Sequence, residues 1–181
     1  MKTPGLILVL LFFCSAENLP YGSPVYAGES LVIPECHIPT IPVKTESIDS
    51  VRDHLERVLR NYYQTMSDRN WEAYREFFWP DATLTTAWQA RGDVKPRVHV
   101  TTIDDFIAGT AEGPDSQPIF EEKPISIEID VRGSLAVAWV SYEARFGSEE
   151  HLMEWNGIDV FTLMQHEDEW RIVSLAYSSE G

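Results

Sequence analysis

The chain has 181 residues, of which 44% are hydrophobic and 24% are charged, a composition that allows one folded domain with extensions. Its formal net charge is −15, because 14 basic residues stand among 29 acidic ones. Binding to nucleic acid requires clustered Lys and Arg that neutralise phosphates, so this charge argues against a nucleic-acid partner. It disfavours an anionic membrane surface for the same reason.

The first 16 residues have the pattern of a secretory signal peptide. Lys2 precedes an unbroken apolar run from Leu6 to Phe13, which is too short to span a bilayer, and three small residues follow at 14–16. We therefore expect residues 1–16 to be removed and the protein to be exported, either periplasmic or secreted. Two alternatives stay open: the apolar run could be a buried strand, or Cys14 could be acylated in a lipoprotein.

Residues 17–44 are predicted to be a Pro-rich linker. The prolines are Pro20, Pro24, Pro34, Pro39 and Pro42. Proline removes backbone donors and disfavours helix, so this stretch is expected to be extended. After removal of the signal peptide Cys36 is the one cysteine left, and no internal disulfide can form. The folded domain is then predicted to occupy residues 45–181.

The first half of this domain is predicted to be mainly helical. Apolar residues recur at intervals of three and four between Val51 and Met66, which predicts a helix from about residue 47 to 66. A second helix is predicted from about residue 69 to 78, ended by Pro80. A strand at 82–88, a loop at 89–98 and a short helix at 102–109 are expected to follow.

From about residue 118 the hydrophobic period changes to two, which is typical of strands. Four strands are predicted, at residues 119–131, 135–146, 152–165 and 170–177. The joints between them are short, so consecutive antiparallel hairpins, a meander, are expected. Helices first and a long meander last indicate an α+β fold whose helices pack on one face of the sheet.

Two stretches of sequence resemble the nuclear transport factor 2-like superfamily. The first is NWEAYREFFWPDATL at 70–84; the second is EWNGIDVFTL at 154–163, followed by EWRIVSL at 169–175. The resemblance covers roughly residues 45–180 and is nearest to the SnoaL-like branches. It implies a cone-shaped, curved antiparallel sheet packed against three N-terminal helices. The superfamily includes isomerases, dehydratases, cyclases, ligand binders and assembly modules, so the fold alone does not select a function.

The resemblance places the functional site in the cavity between the curved sheet and the helices. The pocket-binding candidates are Tyr62, Trp88, His99, Trp139, Glu143, Asn156 and Asp159. Tyr62 lies on the apolar stripe of the first helix, where it could donate to an oxyanion or be a core tyrosine. A dehydratase-like site would combine a histidine, a tyrosine and a carboxylate, and His99, Tyr62 and Asp159 could form that set.

Two further positions bear on catalysis through the same resemblance. Asp81 corresponds to a structural cap at the turn between helix and strand. The isomerase base would fall on Thr86, and because threonine is not a carboxylate, this residue argues against ketosteroid-isomerase chemistry. On the strands, Glu143 and Arg145 could form a cross-strand ion-pair network, or Glu143, Glu154 or Asp159 could be a buried general base.

Strand alternation gives provisional faces for the candidates. On the predicted strand 135–146, Trp139 and Glu143 share one face and Tyr142 lies on the other. On the predicted strand 152–165, Asn156 and Asp159 lie on opposite faces. A bulge could shift either register by one residue and reverse these faces.

We expect an exported domain that binds a small apolar or aromatic molecule in an aromatic-lined pocket. Two other functions stay open: a dehydratase, isomerase or cyclase that uses general acid–base catalysis without a cofactor, and a structural homodimer. No histidine pair has zinc-site spacing, and the sequence has no Gly-rich phosphate loop or nucleophile elbow, so neither a metal nor a cofactor is expected. A homodimer without a membrane span is the expected assembly.

Overall fold

Three α-helices and six strands form the domain in the computed structural model, which describes residues 47–88 and 94–180. The helices are α1 (Ile48–Ser67), α2 (Trp71–Arg75) and α3 (Ile103–Ala108). The strands are β1 (Phe78–Trp88), β2 (Arg97–Thr102), β3 (Ile119–Arg132), β4 (Leu135–Gly147), β5 (Leu152–His166) and β6 (Glu169–Glu180). Two short 3₁₀ helices, Thr110–Glu112 and Pro114–Ser116, precede β3. The predicted signal peptide and linker lie outside the described residues.

The six strands form one curved, unclosed sheet in the order β2-β1-β6-β5-β4-β3. The predicted meander is confirmed, because β3, β4, β5 and β6 pair consecutively and antiparallel. The sheet as a whole is mixed, since β1 runs parallel to β6. The predicted α+β cone with three helices is therefore confirmed, with this one parallel pair in a sheet that was expected to be antiparallel throughout.

Helix α1 begins where the sequence provides a cap and packs one face on the sheet. The Ser47 side chain accepts a hydrogen bond from the amide of Ser50 at 3.1 Å, which satisfies one free donor of the first turn. The buried side chains are Leu55, Leu59, Tyr62, Tyr63 and Met66. At the other end, Ser67 Oγ donates to the carbonyl of Glu122 at 3.1 Å and accepts from its amide at 3.0 Å. These two bonds fix the end of α1 against β3.

The second helix is shorter than predicted, because the chain enters the sheet earlier. Phe78 already pairs with Ile172, whose amide donates to the carbonyl of Phe77 at 2.8 Å. Between Phe78 and Thr83 the register shifts, and Asp81 has a φ of 62° at this irregularity. Aspartate tolerates this left-handed conformation better than most residues. Asp81 thus lies inside β1 at a bulge, and the predicted helix–strand cap at this position was wrong.

Strand β2 lies partly where a loop was predicted. It pairs antiparallel with β1, from Thr83 opposite Thr102 to Trp88 opposite Arg97. Residues 97–100 are all exposed, so the alternation of Val98 and Val100 with Arg97 and His99 does not reflect one buried face. The third helix begins at Ile103, one residue after the Thr102 side chain that accepts from the amide of Asp105.

The inner face of the sheet carries the core. Alternate residues of β4 from Ala136 to Ala144 are buried, as are Phe161 and Leu163 on β5. Strand alternation predicted which residues share a face, and the structure shows which of the two faces points inward. None of the described helices is long and apolar enough to cross a membrane.

Candidate functional site

A cavity of about 560 Å³ lies between the inner face of the sheet and the helices. Its lining includes the aromatic residues Tyr62, Tyr74, Phe106, Phe120, Tyr142, Trp155 and Tyr177. The polar and acidic lining residues are Thr86, His99, Glu122, Asp159 and Ser179. A volume of this size falls in the range of small-molecule sites, which are concave, mostly apolar and carry a few placed polar groups.

Two tyrosines form the wall of the cavity nearest the helices. The hydroxyls of Tyr62 on α1 and Tyr74 on α2 lie 2.7 Å apart, and both rings are fully buried. Tyr62 also packs edge-to-face on Phe161, with ring centroids 5.1 Å apart. Burial raises the pKa of both phenols, so both hydroxyls stay protonated at neutral pH. The pair is a rigid, neutral surface with hydrogen-bonding capacity.

Asp159 on β5 is a carboxyl group in the cavity that is only 3% exposed. The hydroxyl of Tyr63 donates to its Oδ2 at 2.5 Å, and its Oδ1 accepts no hydrogen bond from any described residue. Burial raises the pKa of Asp159 to about 7, against the opposing effect of the Tyr63 hydrogen bond. This carboxyl can therefore gain or lose a proton near neutral pH.

Glu122 on β3 is a second carboxyl group in the cavity lining. Its backbone is held by Ser67, whereas its side chain makes no hydrogen bond with the described residues. Burial, and secondly the negative charge of Asp159, raise the pKa of Glu122 to about 8. The two carboxyls thus influence each other electrostatically, and each has an oxygen available to a ligand.

Gly157 makes room for one of the lining rings. It lies directly opposite Tyr142 in the pairing of β4 with β5. A Cβ atom at position 157 would lie 2.3 Å from Tyr142 Cζ and 2.5 Å from the carbonyl oxygen of Ser178. Only glycine allows the phenol of Tyr142 to lie across β5.

The structure brings together only some of the residues that the sequence singled out. Tyr62, His99 and Asp159 all line the cavity, although His99 is exposed at β2. Trp139, Glu143 and Asn156 lie on the opposite face of the sheet, which faces away from the helices. They do not line this cavity. The side chain of Trp88 lies outside the described part of the chain.

The outer face carries a shallower groove of about 360 Å³ at Glu143, Arg145, Glu154 and Asn156. Arg145 forms ion pairs there with Glu121 at 3.1 Å and Glu154 at 3.2 Å. The predicted cross-strand ion-pair network is therefore present around Arg145, whereas Glu143 forms no ion pair with the described residues. Exposed ion pairs of this kind contribute little to stability.

Sequence reasoning missed Tyr63, Glu122 and Tyr142. Tyr63 follows Leu59 by four residues, so the helical period places it on the same buried face of the helix and could have predicted its position. Glu122 stands in the polar run Glu121-Glu122-Lys123, which resembles a solvated surface. In addition, the register shifts between Pro124 and Ser126, so strand alternation extended back from the middle of β3 places position 122 on the wrong face.

Within residues 47–88 and 94–180, no group of three or more His, Cys, Asp or Glu side chains is arranged to hold a metal ion. The chemistry available in the cavity is that of two carboxyls, several phenols and aromatic surface.

Comparison with solved structures identifies proteins of the same fold. An NTF2-like protein of unknown function from Shewanella baltica OS155 superposes with a TM-score of 0.59 at 18% identity, over 76% of this chain and 99% of that one. An NTF2-like superfamily protein from Salmonella enterica serovar Typhimurium LT2 gives 0.60 at 14% identity, over 75% and 94%. A "Putative Scytalone Dehydratase" from Novosphingobium aromaticivorans DSM 12444 gives 0.58 at 16% identity, over 74% and 87%. At these identities the likeness shows the fold alone.

Comparison by sequence identifies the family. No curated protein matches the chain significantly. Residues 50–178, however, match the sequence profile of the family described as "Putative lumazine-binding". Because this match spans more than half of the chain, the protein belongs to that family and has the nuclear transport factor 2-like fold.

Proposed function

We propose that this domain binds a small, flat aromatic molecule in the cavity between the sheet and α1. The observation that carries the proposal is an aromatic-lined cavity of about 560 Å³ whose lining includes the carboxyls of Asp159 and Glu122. Aromatic walls bind flat ring systems through offset and edge-to-face contacts, and the few polar groups set the orientation. The family description, which names lumazine, a fused-ring heterocycle, agrees with a ligand of this kind.

A blocked cavity provides the test. Thr86 on β1 lines the cavity, so Thr86→Trp would fill part of it, whereas neighbouring Thr85 is not in the lining and Thr85→Trp is the matched control. Lumazine and 2-naphthamide are titrated into the three proteins by calorimetry. We expect micromolar binding to the wild type and to Thr85→Trp, with at least a tenfold loss in Thr86→Trp. If neither compound nor a wider panel of flat aromatics binds the wild type, the proposal is wrong.

Acid–base catalysis is a second candidate function, and the carboxyl groups favour it. A general acid or base works best when its pKa lies near the operating pH. Asp159 and Glu122, with pKa values raised to about 7 and about 8, meet this condition inside a ligand-sized cavity. The phenols of Tyr62 and Tyr74 are neutral donors that could stabilise a developing oxyanion.

Proton transfer at carbon separates this candidate from simple binding. 2-Tetralone in deuterated buffer exchanges its α protons, and NMR follows the rate. A catalyst would accelerate the exchange, and Asp159→Asn would abolish the acceleration. If the protein binds 2-tetralone but the exchange proceeds only at the rate measured in buffer, the catalytic candidate is wrong and the binding function stands.

We also propose that the outer face of the sheet pairs with a second copy. Trp139 is 55% exposed there, and Leu135 and Met164 lie opposite each other in the same β4–β5 pairing. Apolar residues grouped on an exposed sheet face favour association. Light scattering should give twice the chain mass, and Trp139→Glu should give the single chain mass. A monomeric wild type would contradict this.

Export is proposed from the sequence alone. The intact mass of the protein recovered from a bacterial periplasm should correspond to a chain that begins at Glu17. A chain of full length in the cytoplasm would contradict it.

A further inference from the structure

The carboxyls of Asp159 and Glu122 indicate which chemical group of a ligand lies next to them in the cavity. Asp159 is 3% exposed and lines the cavity, and only its Oδ2 is engaged, by the Tyr63 hydroxyl. Among the described residues no side-chain oxygen is both buried and unpaired, so Oδ1, which accepts no hydrogen bond from them, is accessible from the cavity. A ligand that donates to Oδ1 would add a charge-assisted hydrogen bond to this carboxyl.

Apart from His99, the described residues that line the cavity include no side chain that carries a positive charge. Among the described residues, the lining contains no Lys or Arg. The titratable groups around the two carboxyls are Tyr62 and Tyr63 from α1, Tyr74 from α2, His99 from β2, Tyr142 from β4 and Tyr177 from β6. The tyrosines are neutral, so the charge of an ionised Asp159 or Glu122 is not compensated by any of them. Charge complementarity therefore favours a cation or a set of N–H donors.

Resting on the proposed function, we propose that the ligand is a flat aromatic that carries a cationic group, such as an amidine or a protonated amino-substituted nitrogen heterocycle, directed at Asp159 and Glu122. The aromatic wall takes the ring faces, and the two carboxyls take the N–H donors. An anionic ligand of the same shape would place a negative charge beside two acidic groups, with no Lys or Arg among the described lining residues.

This arrangement has a consequence for pH. Burial raises the pKa of Asp159 to about 7 and, with the charge of Asp159, that of Glu122 to about 8. A cation stabilises the ionised carboxylate, so its binding lowers both pKa values and releases protons. Affinity for a permanent cation should then rise between about pH 6 and pH 9, whereas affinity for an anion should fall.

Three isosteric probes separate the classes: 2-naphthamidine, which is cationic over this pH range, neutral 2-naphthamide, and anionic 2-naphthoate. Calorimetry on the mature protein at pH 6, 7.5 and 9 gives the affinities, and buffers of different ionisation enthalpy give the protons released. At pH 9 we expect the amidine to bind at least tenfold more tightly than the naphthoate. Its affinity should increase at least fivefold from pH 6 to pH 9, with net proton release.

Variants identify the groups responsible. Asp159→Asn and Glu122→Gln should each weaken amidine binding about tenfold and leave naphthamide binding within about twofold. Tyr63→Phe removes the hydrogen bond that lowers the Asp159 pKa, so the pH dependence should move to higher pH. His99→Gln measures how much the histidine contributes to amidine affinity and to its pH dependence. Glu128→Gln, an exposed carboxylate on the same strand as Glu122, is the control and should change nothing.

The outcomes distinguish this inference from the function on which it rests. If naphthamide binds and the amidine binds no more tightly than the naphthoate at pH 9, the ligand class is wrong and the binding function stands. If none of the three probes binds the wild type, this inference fails as well as the proposed function. If the amidine binds but Asp159→Asn and Glu122→Gln leave its affinity unchanged, the carboxyls are not its partners and the inference is overturned.

Discussion

Replacing Asp159 with asparagine should stabilise the protein at alkaline pH. Asparagine has the same shape and can still accept the hydrogen bond from Tyr63, but it carries no charge. The perturbation therefore isolates the cost of ionising a carboxyl group that is 3% exposed. Removing a charge from the interior is favourable when that charge has no cationic partner.

The magnitude follows from the pKa difference between the folded and unfolded states. Asp159 titrates at about 7 in the fold, whereas an unfolded aspartate titrates at about 3.9. Three units correspond to about 4 kcal/mol. Because the pKa of Asp159 is raised in the fold, the contribution of its protonated carboxyl to the free energy of unfolding is fully present below pH 4. That contribution is lost as the pH rises through 7. Asp159→Asn lacks this loss, so its advantage over wild type should grow from near zero at pH 4 to about 4 kcal/mol at pH 8.

Urea unfolding at pH 4, 5.5, 7 and 8, followed by tryptophan fluorescence, measures this difference. The control is Glu128→Gln, which removes an exposed carboxylate and should parallel the wild type at every pH. If the gap between Asp159→Asn and wild type is the same at pH 4 and pH 8, the carboxyl does not titrate as its burial requires. A wild type that gains stability relative to the variant as the pH rises would refute the reasoning outright.

Three further changes test the packing around the site. Gly157→Ala should destabilise the fold by roughly 1–3 kcal/mol in urea, because its Cβ would lie 2.3 Å from Tyr142 Cζ; an unchanged midpoint would show that the Tyr142 ring lies elsewhere. Tyr74→Phe should cost about 1–3 kcal/mol, since it leaves the buried Tyr62 hydroxyl without its partner, and the double variant with Tyr62→Phe should cost less than the sum of the single changes; strict additivity would argue against the hydroxyl pair. Arg145→Ala should leave the urea midpoint close to that of the wild type, because its ion pairs are exposed, and a clear drop in the midpoint would contradict this.

Much of the fold could be predicted because its signals are local. The apolar stripe of α1 and the alternation along β4 and β5 are periodic, and each period reflects one buried face. Alternation separated Asp159 from Asn156 but did not decide which of the two faces lines the cavity. The early start of β1 at Phe78 could not be predicted, because it depends on pairing with Ile172, which is distant in sequence. Strand β2 pairs with β1, its neighbour in sequence, but its residues 97–100 are all exposed, as in a loop.

The candidate site was less accessible to prediction, since it depends on where the strands bend. The register shift near Pro124 turns Glu122 inward, although its neighbours in sequence are polar. Glu143 and Asn156 have the residue types of a polar site, yet strand alternation places them opposite Tyr142 and Asp159 on the outer face. Residue type suggested the chemistry, and only the register selected which carboxyls face the cavity.

Methionine methyl NMR tests the central claim, that the cavity under α1 holds the ligand, most directly. Met66 lines the cavity, whereas Met164 is exposed on the outer face of the sheet. With ¹³C-methyl methionine in the full chain, saturating 2-naphthamide should shift the Met66 resonance through the ring current and leave Met164 unchanged. A bound ligand that shifts Met164 while Met66 stays in place would contradict the account.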